Sequence, residues 1–148
     1  MNHAEGIEIF YLDHLTALAT GQGTDERVEL ERITSDIAKL AKRLNIIIIM
    51  VSHLATPMGK PHEEGGRVSI RHFKGSRAIG FWCHFMFGLE RDQQAEDETE
   101  RQTTTFRVLK DRYTGQATGL TFPLNYNHVT GKLYEASPFD SAPVAANF

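Results

Sequence analysis

Residues 24–54 read TDERVELERITSDIAKLAKRLNIIIIMVSHL, and this stretch decides the fold class. Thr24 can cap a helix, with Asp25 and Glu26 in the first turn, where the helix dipole favours negative charge. Val28, Leu30, Ile33, Ile37, Leu40, Ala41 and Leu44 follow at mostly helical spacing, so one face of that helix is apolar. Asn45 suits the helix stop. Ile46 to Val51 is then an unbroken apolar run, which predicts a strand buried on both faces, as in a parallel sheet. Upstream, Ile7 to Leu12 is β-branched and aromatic and reads as a buried strand ending at Asp13. A Gly/Thr loop, Thr20 to Gly23, joins it to the helix. Strand, helix, strand in this order is a βαβ unit, whose crossover is right-handed.

Downstream the pattern changes. Ala55 to Arg67 is rich in Pro, Gly and charge and reads as a mobile loop. Ser69 to Phe81 reads as short helical pieces, Phe85 to Leu89 as a third strand, and Asp92 to Gln102 as an acidic surface stretch. Thr103 to Lys110 alternates like a strand, Tyr113-Thr114-Gly115 turns, Gly119 to Tyr126 returns, and a second turn leads to Lys132-Leu133-Tyr134. The chain thus opens α/β and closes in β-hairpins. Residues 1–135 form the folded part, and the Pro/Ala/Ser-rich residues 136–148 read as a disordered tail.

Composition narrows the classes. With 148 residues, 41% hydrophobic and 24% charged, the chain has the make-up of a water-soluble domain with one core. Sixteen Lys plus Arg against 19 Asp plus Glu give a net charge of −3, which opposes nucleic-acid binding overall but not through a local basic loop. One cysteine, Cys83, excludes an intrachain disulfide framework and fits a reducing cytoplasm. No apolar run approaches the ~20 residues of a membrane helix, and the N-terminus has no signal-peptide pattern.

Three features carry chemistry. Asp13 and His53 lie at the C-terminal ends of strands joined by one crossover, the edge where open α/β sheets bind ligands. A carboxylate there can hold Mg²⁺ bridging nucleotide phosphates, and an imidazole can sense a γ-phosphate; the same residues equally read as a turn cap and a polar strand end. Next, residues 109–115, LKDRYTG, run a strand into a turn, and alternation puts Lys110 and Arg112 on one face. Two cations at a rigid tip can stabilise a transferring phosphoryl group, although alone they read as a solvated hairpin. Finally, Lys60, Arg67, Arg71 and Lys74 lie among glycines between His53 and Ser76, which suits phosphate-backbone contact. Glu63 and Glu64 offset them and favour a plain surface loop. The sequence has no G-x-x-x-x-G-K-[ST] loop, no zinc pattern and no G-x-S-x-G elbow. Trp82, Phe85 and Phe87 read as core or interface packing.

Taken in order, IFYLDHLTAL, the 24–54 stretch, KPHEEGGRVSI with FKGSRAI, FGLERDQQ, and LKDRYTGQATG with NYN resemble the DnaB-type hexameric replicative DNA helicases, above all bacteriophage primase–helicases. The resemblance runs from about Ile7 to Leu133. It implies a partial RecA-like P-loop ATPase core: a parallel sheet with flanking helices, ending in β-hairpins. It further implies ATP or dTTP with Mg²⁺ as cofactors and single-stranded DNA as partner. A homo-hexameric ring, or an N-terminal half supplying the Walker A loop, would complete the motor, with primase and DNA polymerase as further partners and 5′ to 3′ travel. By resemblance Asp13 is the Mg²⁺ aspartate, His53 the γ-phosphate sensor, and Arg91 and Tyr126 the pair that sandwiches the base. Arg112 matches the arginine finger with Lys110 as companion. The loop bearing Lys60 and Arg67 matches the DNA-holding channel loop, with Lys74 and Arg77 as further participants.

The sequence departs from the family pattern in three ways. Ile79-Gly80-Phe81-Trp82 stands where relatives carry a coupling glutamine, Lys60 is the one lysine between His53 and Arg67, and the Walker A loop and catalytic glutamate are expected upstream of the first strand, outside this sequence. The expected function is ATP-driven DNA unwinding as part of a helicase, with this chain inactive alone. Alternatives are a non-catalytic ring subunit that completes or poisons a hexamer, and another RecA-like recombination ATPase, against which the HEEG loop and KDRYTG hairpin argue.

Overall fold

A computed structural model of the chain describes residues 6, 8–19 and 25–136. Ile7, the Thr20–Gly23 loop, the Thr24 cap and the tail beyond residue 136 lie outside the described residues. The chain forms two units: residues up to 55 with 69–84, and residues 56–68 with those from 85 onward.

The first unit holds the βαβ arrangement. Strand β1, Ile9–Leu12, pairs in parallel with β2, Ile47–Met50, in the register Ile9↔Ile47 to Leu12↔Met50. Helix α1, Glu26–Leu44, joins them. Its N-cap is Asp25, whose carboxylate accepts the Arg27 N–H at 2.9 Å. At the other end Asn45 adopts the left-handed conformation, φ 52°, and its N–H satisfies the carbonyls of Ala41 and Lys42. Leu30, Ile33 and Thr34 are the buried residues of the helix. Helix α2, Ser76–Trp82, packs on α1. Gly75 permits this approach, since a Cβ there would lie 3.0 Å from Leu30 Cδ1, and its φ of 73° disfavours any other residue.

The two parallel strands are not buried on both faces as their apolar runs predict. Ile47 is 59% exposed and Tyr11 73% exposed, while Ile46, Ile48 and Met50 are half-buried. A two-stranded sheet has two open edges, and α1 contacts β2 without covering both faces.

The second unit is a four-stranded antiparallel meander in the order β3, Phe85–Glu90; β4, Thr104–Asp111; β5, Thr121–Asn127; β6, Lys132–Glu135. The third strand thus opens an antiparallel sheet and does not extend the parallel pair. The acidic stretch before β4 contains a short helix, α3, Glu98–Gln102, capped by Asp97. Along β3 the side chains alternate, with Met86 and Glu90 buried and Phe85, Phe87 and Leu89 exposed. Val68 lies over the buried face, so close that a Cβ on Gly88 would stand 3.0 Å from it. On the other face Phe85, Phe87, Phe106 and Phe122 form a row, with ring centroids 6.1, 5.0 and 6.2 Å apart.

Glu90 anchors a buried ion pair in this unit. Arg107 grips it with one edge of its guanidinium, Nε donating to Oε1 at 2.7 Å and Nη2 to Oε2 at 2.9 Å, and the Val68 N–H donates to Oε1 at 2.9 Å. Burial opposes ionisation of Glu90, but the Arg107 hydrogen bonds, the Val68 N–H and the charges of Arg107 and Arg67 outweigh it and hold the carboxyl below its usual range.

Candidate functional site

In the first unit the parallel register ends both strands at one edge. The ladder continues past β1 and β2 through Val51 N–H to Leu12 O at 2.9 Å and Leu15 N–H to Val51 O at 2.8 Å. Asp13 and His53 therefore emerge at the same edge, both exposed. Between them stands a residue that sequence reasoning passed over, His14, whose ring centroid is 4.0 Å from that of His53. His14 also caps a 3-10 turn, Leu15–Leu18, by accepting the Ala17 N–H at Nδ1. Nδ1 thus acts as an acceptor. Its place directly after Asp13 was the available signal. The peptide bond between Asp13 and His14 is cis.

The His53 carbonyl accepts the Lys74 N–H at 3.1 Å, and Leu54 bridges Phe73. The backbone carrying Lys74 is thereby tied to the strand end carrying His53. Arg77 is exposed on α2. No group of three or more His, Cys, Asp or Glu is assembled for a metal among the described residues. Asp13 is a single accessible carboxylate, which fits Mg²⁺ where phosphates and water complete the shell.

The second unit holds the remaining candidates, at the two ends of its sheet. Glu90 pairs with Thr105 and Thr105 with Pro123, so Arg91, just past β3, and Tyr126, still within β5 and paired with Leu133, lie toward the same end of the sheet with β4 between their strands. Arg91 donates from Nε to the Arg101 carbonyl at 2.8 Å. The Tyr126 ring meets His128 edge-on at 5.0 Å.

Lys110 and Arg112 lie at the opposite end. Strand β4 stops at Asp111, so Arg112 is in the turn, and strict strand alternation does not govern its side chain as the sequence suggests. Asp111 organises that turn: its carboxylate accepts the Thr114 hydroxyl and the N–H groups of Thr114, Tyr113 and Ala117. Thr114, through its hydroxyl and its N–H, outweighs the opposing effect of burial and, with lesser help from Ala117 and Tyr113, holds the Asp111 carboxyl below its usual range. Arg112 is exposed on a turn fixed from both sides.

The basic stretch expected to be a mobile loop contains a hydrogen-bonded turn. Pro61 O accepts the N–H groups of Glu64 and Gly66, and a Cβ on Gly66 would collide with the carbonyl of Lys60. Two glycines and a proline favour compaction here as readily as mobility. Lys60 and Arg67 are exposed in this second unit, whereas Lys74 and Arg77 belong to the first.

No protein-family model matches the chain. By sequence it is 33% identical over 134 residues to the DNA helicase/primase of Enterobacteria phage T3, a match covering 89% of the chain but 23% of that protein. By structure it is similar to a solved ATPase domain, with a TM-score of 0.69 at 19% identity, covering 87% of this chain and 44% of that one. A DnaB-like replicative helicase, solved in a study of its interactions with primase, gives a TM-score of 0.69 at 17% identity and is covered over 30% of its length. The fold is an α/β ATPase-domain fold related to those of DnaB-like helicases.

Proposed function

We propose that this chain, which sequence and fold match to the DnaB and phage primase–helicase superfamily of ATPase domains, is the sensing and coupling part of a ring-shaped replicative DNA helicase motor. The observation that carries this reading is the length of β4. From Thr104, level with Arg91, eight residue steps of roughly 26 Å in all lead to Arg112, with Lys110 two steps nearer. A nucleotide base held between Arg91 and Tyr126 is far beyond the reach of Arg112 in the same chain. Arg112 then serves a nucleotide held by a neighbour, and a closed ring lets every copy give and receive one finger.

In this reading His53, with His14 packed against it, hydrogen-bonds the γ-phosphate of ATP or dTTP. Asp13 holds Mg²⁺, which when bound neutralises phosphate charge. Lys110 and Arg112 stabilise charge developing on the phosphoryl group of the neighbouring site. Lys60, Arg67, Lys74 and Arg77 contact the phosphates of single-stranded DNA, and primase and DNA polymerase act on the same strand system. Hydrolysis moves the loops along one strand, in the 5′ to 3′ sense, and excludes the other.

The test is a finger supplied in trans. The chain is mixed with a superfamily motor that carries a phosphate-binding loop but whose own finger arginine has been replaced. DNA-stimulated ATP hydrolysis should recover, and the Arg112→Ala chain should fail to restore it, a difference of about 10³-fold. Alone, the chain should hydrolyse no ATP; robust DNA-stimulated turnover by it would sink the reading. An exposed Arg112 that reaches a neighbour's site is also compatible with a second reading, a non-catalytic ring subunit. That reading expects the chain to lower the activity of an intact helicase on mixing.

A further inference from the structure

The 56–68 segment and the end of β3 are fastened together at several points. Lys60 Nζ lies 3.2 Å from Asp92 Oδ2. Gln93 N–H donates to Glu63 O at 2.9 Å, and Glu64 bridges Asp92. A Cβ on Gly65 would stand 2.9 Å from Asp92 Cβ, so the turn lies directly on that residue. Asp92 is held in place, with Oδ1 accepting the Gln94 N–H at 3.0 Å. Its side chain is 17% exposed, against 58% for Lys60. A flexible, solvated ammonium therefore faces a carboxylate fixed on the body of the sheet. Ion pairs of this kind are weak and screened by salt, so an arriving phosphate competes for the same ammonium.

We infer that Asp92 is the resting partner of Lys60, and that single-stranded DNA engages this loop by exchanging a backbone phosphate for Asp92 at the Lys60 ammonium. The inference rests on the reading of the loop as a DNA contact, and it names the carboxylate that limits that contact. It also says where the exchange is felt. Asp92 follows Arg91, the residue proposed to hold the nucleotide base, so its release acts one peptide unit from the nucleotide grip. The family's glutamine is absent from this chain, and the 90–93 segment supplies a different link between DNA and nucleotide.

The experiment measures binding of a fluorescent oligo(dT) to the whole chain by anisotropy at two salt concentrations, with circular dichroism to verify folding. Asp92→Asn should tighten binding about two- to five-fold at low salt, with the gain shrinking at higher salt. Lys60→Ala should weaken binding and erase that gain, so that the double variant behaves as Lys60→Ala alone. If Lys60→Ala weakens binding but Asp92→Asn does not tighten it, the DNA loop stands and the exchange is wrong. If the Asp92→Asn gain survives in the Lys60→Ala background, Asp92 acts by bulk repulsion, and the exchange is again wrong. Unchanged binding in Lys60→Ala removes the loop reading itself. Should Asp92→Asn fail to fold, the wild-type chain decides, because its Asp92 carboxyl carbon resonance must shift as oligo(dT) is added, and a constant shift at saturation overturns the proposal.

Discussion

The parallel pair β1–β2 is built from wholly apolar strands and the antiparallel sheet β3–β6 from strands that mix polar and apolar residues, and the two hold their residues in different ways. In the meander each strand follows its partner in sequence, so hairpin closure supplies the ladder locally, and the Glu90–Arg107 pair with the Val68 N–H ties the loop segment down. The parallel pair needs a 19-residue helix to bring its strands together, and it leaves Ile9, Tyr11, Ile47 and Ile49 exposed. Both regions leave apolar side chains uncovered, Phe85, Phe87, Leu89 and Leu133 of the meander included, so local connection supplies the ladder and the Glu90 anchor rather than cover. The candidate residues divide the same way, with the Asp13, His14 and His53 edge on the parallel pair and the Arg91 and Arg112 ends on the meander.

Removing the meander's internal tie should have the largest effect. Arg107→Ala leaves Glu90 buried without its cation and should lower unfolding stability by about 3–4 kcal/mol, read by urea denaturation. Its pH dependence is a second handle. The fold holds Glu90 below the ordinary glutamate value of about 4.3. The stabilisation is therefore complete above that value and is lost as pH falls through the lowered folded pKa. Acid unfolding of the wild type should steepen in that window, and the Arg107→Ala chain should lose this dependence.

In the parallel region the comparable weak point is apolar. Leu30, 1% exposed where α1 meets Gly75, should cost about 3 kcal/mol on replacement by Ala, with no change in acid sensitivity. If Leu30→Ala were harmless, α1 would not be what holds the parallel pair. A smaller effect is expected at Asn45, where Ala must take up the left-handed conformation at a cost of about 1 kcal/mol, visible in thermal unfolding. The smallest effect is local. Asp111→Asn should leave global unfolding nearly unchanged while the amide protons of Thr114 and Ala117 exchange faster with solvent, and unchanged protection would show that the turn does not depend on the carboxylate.

What the sequence made legible follows what is local. The spacing of Leu30 and Ile33, the stop at Asn45 and the strand before Tyr113 each depend on near neighbours, and each appears in the fold. Exposure of Ile47 was not legible, because an unbroken apolar run reports what a strand needs and not what covers it in this chain. The Lys60–Asp92 pair joins residues 32 positions apart, and neither residue's neighbours encode the other. The contact of His14 with His53 likewise depends on register between β1 and β2, which fixes both strand ends at one edge. Asp13 and His53 were picked out by their strand-end positions, while His14 emerged once that register was known.

Strand β4 also limits how such a chain can tolerate insertions. Adding one residue between Thr104 and Asp111 would exchange the faces of every side chain beyond it, turning Lys110 away from its present side. Adding two would restore the faces but lengthen the strand by about 7 Å. The 92–97 segment between β3 and α3 can absorb such changes without altering that length. Among related chains, length variation should therefore collect in that segment and be absent from β4.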